Sequence, residues 1–275
     1  NNLYKDHLRT IEIEARKHIN AGKADRTEAD SIQRFFTRQL QTWPEARLHY
    51  RQLLDIQTRE LPCDTMTLTA QHNHARIVST GASIDKASIS ARPCFLCQQN
   101  RPAEQIAAPA VQGHELLVNP FPILPVHFTI PSLRHEQQAI LSRYGEMLAL
   151  LEAHQELTVF YNGPLCGASA PDHAHFQAVA GGQLPLQAAW PRLCRNLSPV
   201  ISDDGCNGIW LISDYPCTAF LIRSHTTDCG RRLFATLYDA LPTHRDEREP
   251  MMNIVCWHSG SDILSVVFPR RKHRP

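Results

Sequence analysis

The chain has 275 residues, 43% of them hydrophobic and 20% charged, a composition typical of a globular protein with a sizeable core. Its 28 basic and 27 acidic residues give a net charge of +1, so electrostatics offer no support for a nucleic-acid partner. No apolar run reaches the roughly 18 residues of a membrane span, because Pro120, Pro122 and Pro125 interrupt the apolar stretch 116–130.

The chain start and the cysteine usage favour a reducing compartment. The first ten residues, NNLYKDHLRT, show no signal-peptide pattern. The nine cysteines are odd in number and include one tightly spaced pair, Cys94 and Cys97, which favours reduced thiols over a disulfide scaffold. We therefore expect a cytoplasmic protein that binds neither nucleic acid nor membranes.

The N-terminal part of the chain, residues 3–60, is predicted to be helical. Apolar residues recur at spacings of three and four in 3–19 and again in 29–43, which is the period of an amphipathic helix. Asp30 or Ser31 is the expected N-terminal cap of the second helix.

Strand signals follow, and one long amphipathic period among them predicts a helix. In chain order the predicted elements are strands at 66–70 and 74–80, a loop at 92–102, two strands joined by a proline-rich bend within 114–130, a helix at 136–154 and a strand at 157–163. After residue 185 the succession returns as strands at 207–213 and 218–224, a helix at 229–241, and strands at 253–260 and 263–269.

Two rounds of strand, strand, helix and strand predict an α+β fold with two related halves and additional N-terminal helices. We expect the chain to divide into an N-terminal helical region at 1–62, a first half at 63–184, and a second, more divergent α+β half at 185–275.

Cys94 and Cys97 form a C-x-x-C pair within a loop, a spacing at which two thiolates can bind one zinc ion. Two free buried thiols are an alternative. A redox pair is another, although this pair does not open a helix after a strand as a thioredoxin-like motif does. The candidates for the two remaining ligands of a tetrahedral site are His114, His127, His135 and His173.

The strongest chemical signal is the succession of His173, His175 and Gln177. Residues two apart on a strand share a face, so these three side chains point one way, while Ala174 and Phe176 point the other. Such a polar face is costly to bury without partners. An imidazole that a partner holds in one tautomer can attack phosphorus and form a covalent intermediate.

Groups suited to phosphate lie upstream of that face. Asn162, Gly167 and Ser169 offer an amide, a close backbone approach and a hydroxyl. The alternative is a glycine-rich turn before a strand whose histidines are merely exposed. Arg76 and the basic C-terminal segment 269–275 are candidates to bring cations to substrate phosphates, although that segment can equally be a solvated tail.

The pattern N-x-x-x-x-G-x-S-x-x-x-H-x-H-x-Q over 162–177 resembles the active-site segment of the histidine-triad superfamily. It is most similar to the branch with glutamine in the third position, which contains galactose-1-phosphate uridylyltransferase, diadenosine tetraphosphate phosphorylase and the GDP-hexose phosphorylases. Residues 119–135 resemble the superfamily's strand–turn–strand segment, and 70–135 resemble a bacterial family of this branch. The resemblance implies a histidine-triad-like antiparallel sheet with flanking helices.

The resemblance also implies roles for single residues. His175 would be the nucleophile that carries the nucleotidyl group, and Gln177 and Ser169 would hold the phosphate of that intermediate. Asn162 would support the loop or contact phosphate, and Asn119 would contact the ribose.

A zinc site follows from the same resemblance. His173 matches the family's zinc ligand. His135 lies at a position similar to the histidine of the family's P-x-x-H segment, four residues after Pro131 where many relatives have three, and would complete a set with Cys94 and Cys97. Because four protein ligands leave no open position, the zinc would be structural.

Gln177 implies transfer rather than hydrolysis, since the hydrolases of the superfamily generally carry histidine there. The expected protein is a nucleotidyltransferase or phosphorylase that acts on a nucleoside diphosphate sugar or a dinucleoside polyphosphate through a nucleotidyl-histidine. Its acceptor would be phosphate or a sugar phosphate, and it would be a monomer or homodimer. The alternatives are a dinucleoside polyphosphate hydrolase and a non-catalytic, zinc-stabilised nucleotide-binding or sensor protein.

Overall fold

A ten-stranded antiparallel sheet organises the protein, as seen in a computed structural model that describes residues 26–63, 66–73, 86–202, 206–243, 245 and 247–271. Before this sheet come the helices α1 (Arg26–Thr42) and α2 (Pro44–Gln52), the hairpin of β1 (Gln57–Cys63) and β2 (Met66–His72), and the helix α3 (Lys86–Ala91).

The remaining elements alternate between strands of the large sheet and helices that cover it. They are β3 (Ala107–Pro109), β4 (Glu115–Val118), β5 (His127–Pro131), α4 (Tyr144–Ala153), β6 (Leu157–Asn162), β7 (His175–Ala180), α5 (Pro185–Leu193), β8 (Leu197–Ser202), β9 (Gly208–Ile212), β10 (Phe220–Ser224), α6 (Thr227–Ala240), β11 (Met252–Ser259) and β12 (Asp262–Pro269). None of the helices in these described parts is both long and apolar enough to cross a membrane.

The sheet consists of two halves with the same strand order. From edge to centre, the first half runs β3-β4-β5-β7-β6 and the second runs β8-β9-β10-β12-β11. In both halves a helix, α4 or α6, follows the third strand along the chain. The halves meet where β6 pairs with β11, with Asn162 opposite Asn253. The predicted α+β class with an antiparallel sheet, flanking helices and two related halves is confirmed, while the domain boundaries stay a prediction.

Alternate residues of the strands face two different cores. Ile254, Cys256 and Val267 belong to the larger core, whereas their neighbours Val255 and Val266 belong to the smaller one. Because side chains alternate along a strand, the two cores lie on opposite faces of the sheet. Helices α1, α2, α4 and α6 contribute to the larger core, and α5 contributes to the smaller.

Aromatic rings fix how the helices pack on the larger core. Phe36 meets Tyr50 edge-on at a centroid distance of 5.1 Å and Phe128 at 5.9 Å, which joins α1 and α2 to β5. Tyr144 stacks on Phe234 at 4.0 Å, which joins α4 to α6. The helices therefore hold one face of both halves, and the opposite face of the first half is left for polar residues.

The predicted helix 136–154 is wrong at its start, because α4 begins only at Tyr144. Before Tyr144 the backbone makes hydrogen bonds outside a helix, since the Ile140 N–H donates to Glu249 Oε2 at 2.8 Å. This partner comes from the second half of the chain, and periodicity within 136–154 does not reveal it.

The predicted helical stretch 3–60 is also wrong at its end. Helix α2 stops at Gln52, and β1 pairs with β2 from Gln57 onwards. A hairpin satisfies these backbone groups with a partner that local helical periodicity does not reveal.

Neither predicted capping residue caps a helix, because Asp30 and Ser31 lie inside α1. The predicted helix 3–19 and strand 74–80 lie outside the described residues. Helix α5 and strand β8 were not predicted, since each is short and carries a proline.

Glu249 gives a testable pH dependence to this packing. It is buried, accepts hydrogen bonds from the Tyr161 hydroxyl at 2.5 Å and from the Ile140 N–H at 2.8 Å, and burial raises its pKa above 4.5. The folded state therefore binds the proton of the Glu249 carboxyl group more tightly than the unfolded state does. The resulting stabilisation is present at low pH and is lost as pH rises through the raised pKa. We therefore expect Glu249→Gln to lose less stability than wild type between pH 4.5 and 7.

Urea unfolding at several pH values measures this difference. The control is Glu60→Gln on the exposed face of β1, which should follow the wild-type pH profile. Parallel pH profiles for wild type and Glu249→Gln would contradict the prediction.

Candidate active site and metal centre

The loop 163–174 joins β6 to β7 and is fastened to the second half of the sheet. The Gly163 N–H donates to the Met252 carbonyl oxygen at 3.1 Å, and a Cβ on Gly163 would lie 2.9 Å from that oxygen. Glycine therefore permits this close approach. Gly167 has a φ of +100°, a left-handed conformation that favours glycine at the bend of the loop.

The second half has no counterpart of this loop. The equivalent strands β11 and β12 are joined by Gly260 and Ser261 alone, with Ser259 paired to Asp262. Although the two halves share a strand order, a long loop joins the two central strands in the first half, whereas a two-residue turn joins them in the second.

His175 is the first residue of β7, and its backbone N–H and carbonyl are held by hydrogen bonds. Gln138, which is buried, accepts the His175 N–H at 2.8 Å through Oε1 and donates to the His175 carbonyl at 2.9 Å through Nε2. The ring Nδ1 lies 2.8 Å from the His173 carbonyl oxygen. Because a carbonyl only accepts, Nδ1 carries the proton and Nε2 keeps its lone pair.

His175 as a whole residue is 6% exposed, and burial lowers the pKa of its imidazole below the usual value of 6.5. In this tautomer Nε2 has a free lone pair, which is the group that covalent imidazole catalysis would use.

Gln177 is oriented by His127, a residue predicted only as a candidate metal ligand. Its Oε1 accepts a hydrogen bond from His127 Nε2 at 2.8 Å, and the Ile123 N–H donates to His127 Nδ1 at 3.4 Å. With its oxygen engaged, Gln177 presents its amide NH₂ as a donor on the face that it shares with His175. The neighbouring Phe160 ring stacks on His127 at 6.0 Å.

The contact of His127 with Gln177 depends on the pairing of two strands that are distant in the sequence. His127 and Thr129 alternate on β5, and β5 pairs with β7 so that Thr129 is opposite Gln177. No spacing within either segment indicates that pairing.

Asn162 and Ser169 frame the loop through contacts with other parts of the chain. Asn162 Oδ1 accepts from Asn253 Nδ2 at 2.7 Å, and the same Nδ2 donates to the Cys166 carbonyl at 2.8 Å. Arg92 Nη2 donates to the Ser169 carbonyl at 2.8 Å. The backbone of the loop is therefore held from both sides.

Asn119 supports the turn between β4 and β5. Its Nδ2 donates to Thr129 Oγ1 at 2.9 Å and its Oδ1 accepts from the Phe121 N–H at 2.8 Å, so both ends of the amide contact the protein. Arg76 lies outside the described residues.

Four predicted metal ligands, Cys94, Cys97, His135 and His173, come together in a partly buried cluster. Their ligand atoms all lie within 4.8 Å of one another. His173 Nδ1 is 3.2 Å from Cys94 Sγ, and His135 Nδ1 is 3.1 Å from Cys97 Sγ. Two sulfurs and two imidazole nitrogens at these separations can hold one metal ion in a tetrahedral arrangement.

The surroundings of the two histidines fit metal binding. His173 Nε2 donates to the Ser132 carbonyl at 2.8 Å, and His135 Nε2 lies 3.5 Å from Asp172 Oδ2. These partners leave each Nδ1 lone pair directed at the cluster, as in metal sites whose histidines are oriented by a carbonyl or carboxylate. The other predicted candidates, His114 and His127, are not part of this cluster.

The metal cluster and the candidate nucleophile share a backbone. His173 offers its ring to the cluster and its carbonyl to His175 Nδ1. A metal ion that fixes the His173 ring would therefore also fix the His173 carbonyl, the hydrogen-bond acceptor that sets the His175 tautomer.

A cleft of about 480 Å³ lies against the outside of the loop. Its walls include 164–166 and 171–172 of the loop and 247–251 of the second half. Of the described residues, neither His175 nor Gln177 lines it, so the cleft adjoins the candidate site rather than containing it.

The ligand cluster predicts the effect of a single cysteine substitution. Cys97→Ser should reduce bound metal from about one ion per chain to near zero and lower the Tm by at least about 5 °C, because metal that binds only the folded state stabilises it. Elemental analysis of the purified protein and a thermal melt measure both effects. The control is Cys217→Ser, an exposed cysteine outside the cluster. Equal metal content in the two variants would contradict this assignment.

Comparison with known proteins gives a family and several similar folds. The family model described as "Domain of unknown function (DUF4922)" matches residues 35–180. No curated protein sequence matches the chain significantly.

Three solved structures illustrate the likeness in fold. A DUF4931 family protein from Bacillus cereus is 17% identical, with 62% of this chain and 87% of that chain covered and a TM-score of 0.43. Yeast Ap4A phosphorylase Apa2 in complex with AMP is 16% identical, with coverages of 85% and 80% and a TM-score of 0.47. The complex of Apa2 with Ap4A is 13% identical, with coverages of 83% and 80% and a TM-score of 0.46.

The family match spans just over half of the chain and includes the four clustered metal ligands and the His-x-His-x-Gln strand. The protein therefore belongs to the DUF4922 family.

Proposed function

We propose that the protein is a nucleotidyltransferase or phosphorylase of the histidine-triad superfamily that acts through a covalent nucleotidyl-His175 intermediate. The observation that carries this proposal is the hydrogen bond from His175 Nδ1 to the His173 carbonyl, which leaves Nε2 as a nucleophile beside the loop 163–174. The resemblance of the 162–177 pattern to the superfamily's active-site segment supports the same assignment.

In the first step, His175 Nε2 attacks the α-phosphorus of a nucleoside diphosphate sugar or a dinucleoside polyphosphate. A nitrogen–phosphorus bond forms, the bond from phosphorus to the bridging oxygen breaks, and the leaving phosphate takes that electron pair. Positive charge that develops on the imidazole is stabilised through Nδ1–H by the His173 carbonyl.

Donors are needed for the non-bridging phosphate oxygens while charge builds on them. The amide NH₂ of Gln177, oriented by His127, and the hydroxyl of Ser169 are the groups we assign to this task. Gly167, at the bend of the loop, allows the backbone to approach the phosphate closely.

In the second step, an oxygen of inorganic phosphate or of a sugar phosphate attacks the same phosphorus. The nitrogen–phosphorus bond breaks and its electron pair returns to Nε2, which regenerates neutral His175. Gln177 supports an acceptor other than water, because an amide, unlike a third histidine, does not deprotonate a water molecule.

We further propose that the ion held by Cys94, Cys97, His135 and His173 is zinc. Bound by four protein ligands, zinc would supply structural cross-linking and no open coordination position. The residues of the chain carry the chemistry: the His173 backbone orients His175, and Asp172 orients His135.

Intact-protein mass spectrometry tests the intermediate. The full chain is incubated without acceptor with UDP-glucose, GDP-mannose, GDP-glucose or diadenosine tetraphosphate. At least one donor should add the mass of one nucleoside monophosphate, and His175→Ala should abolish the adduct because it removes the attacking nitrogen. The control is His49→Ala, a histidine of α2 whose Nδ1 lies 2.7 Å from the Pro120 carbonyl oxygen.

Acceptors then separate the reaction classes. Adding phosphate or glucose 1-phosphate should discharge the adduct faster than water does. Discharge by water at the same rate would indicate a hydrolase, and absence of an adduct with every donor would overturn the proposal in favour of a binding or sensor protein.

His127→Leu tests how Gln177 is oriented. Loss of the Nε2–H donor frees the Gln177 amide to rotate, and we expect labelling of His175 to slow about 10- to 100-fold. Metal content should stay at the wild-type level, because His127 does not belong to the cluster. Unchanged labelling would show that the bond between His127 and Gln177 has no part in the reaction.

A further inference from the structure

Arg270 follows the last strand of the second half and is fixed at both its backbone and its side chain. Its N–H donates to the Met251 carbonyl at 2.8 Å, and its Nη1 donates to Asn253 Oδ1 at 3.0 Å. The residue as a whole is exposed. The guanidinium thus has a defined position at the surface.

Asn253 connects Arg270 to the loop 163–174. While its Oδ1 accepts from Arg270, its Nδ2 donates to Asn162 Oδ1 at 2.7 Å and to the Cys166 carbonyl at 2.8 Å. Asn253 is opposite Asn162 in the pairing of β6 with β11, so strand register determines this arrangement. The Arg270 guanidinium therefore lies two hydrogen bonds from the loop.

Arg270 keeps guanidinium N–H groups that the described residues around it leave free. Other arginines of the chain pair with carboxylates, such as Arg101 with Glu115 at 2.5 Å and Arg143 with Glu146 at 3.2 Å. Within the described ranges, Arg270 forms no ion pair, and one of its five N–H groups has a partner. A guanidinium with free N–H groups can bind two oxygens of one phosphate at once.

A cleft lies close to this position, although Arg270 itself does not line it and its walls include the acidic residues Asp172, Glu247 and Glu249. Met251, whose carbonyl binds the Arg270 N–H, lines the cleft of about 480 Å³ on the outside of the loop. In a substrate whose α-phosphate lies at His175, one bridging oxygen links the next phosphate to the first, so that phosphate also has to lie close to the loop.

We propose that Arg270 binds the phosphate group next to the one that is transferred. This inference rests on the proposed function and makes the second half of the chain part of the substrate site. The same guanidinium would hold the leaving phosphate in the first step and the acceptor phosphate in the second, since both occupy the same place in a double displacement.

Paired nucleotides test this contact by binding rather than turnover. Isothermal titration of the full chain compares AMP with ADP, GMP with GDP and UMP with UDP. For the base that the protein accepts, wild type should bind the diphosphate about tenfold or more tightly than the monophosphate, as expected for a hydrogen bond to a charged group. Arg270→Gln should bring this ratio close to one and leave monophosphate affinity unchanged.

Arg271→Gln is the matched control, since it removes the same charge one residue further along the chain. It should keep the wild-type preference for the diphosphate. Arg270→Lys, which keeps the charge without the planar fork, should give an intermediate ratio. Wild-type metal content and Tm in each variant establish that it is folded.

The outcomes distinguish this inference from the function on which it rests. A diphosphate preference that persists in Arg270→Gln, or that falls equally in Arg271→Gln, overturns the role of Arg270 even if wild type still forms the nucleotidyl adduct. Equal wild-type affinity for monophosphate and diphosphate overturns it as well. A wild-type protein that forms no adduct and binds none of the six nucleotides overturns the proposed function itself.

Discussion

The antiparallel pairing of β6 with β11 is the contact on which the rest of the structure depends. It joins two five-stranded halves into one sheet and brings Met252 and Asn253 against the start of the loop 163–174. The Met252 carbonyl then binds Gly163, and the Asn253 amide binds Asn162 and Cys166. Asn162 and the start of the loop are therefore held in place by backbone and side-chain groups of the second half.

The other end of that loop is controlled by the ligand cluster. His173 is the meeting point, because its ring nitrogen faces Cys94 while its carbonyl accepts the Nδ1 proton of His175. Gln138 fixes the His175 backbone independently through two hydrogen bonds. The His173 backbone and the buried Gln138 amide thus restrict the same imidazole, the kind of preorganisation that a nucleophile would need before substrate arrives.

Chemistry-bearing residues with a local pattern were predictable from the sequence, and those that depend on distant pairing were not. The spacing of two between His173, His175 and Gln177 predicts one shared strand face, which holds for His175 and Gln177 on β7. It is wrong for His173, which precedes the strand and directs its ring at Cys94. Residue spacing did not determine which two residues would bind a metal ion together with Cys94 and Cys97. The family resemblance predicted the two histidines that the fold brings to the cysteines.

His127, Gln138 and Asn253 were missed as parts of the site because each acts across a strand pair or from a separate segment. His127 reaches Gln177 across the pairing of β5 with β7, and Asn253 reaches Asn162 across the pairing of the two halves. The late start of α4 has the same origin, since Glu249 of the second half takes the Ile140 N–H. A single sequence shows periodicity, but it does not show which distant strand becomes a neighbour.

The repeated strand order has a consequence for the integrity of each half. Without the second half, β6 would become a sheet edge, and its unpaired N–H and C=O groups would be open to association with other chains. Gly163 would also lose the oxygen that receives its N–H. The isolated first half, although it contains the residues proposed to react, would then have an unpaired sheet edge and a loop without its backbone support. The second half thus covers the strand edge that the first half would otherwise expose, as the partner subunit of a dimer would.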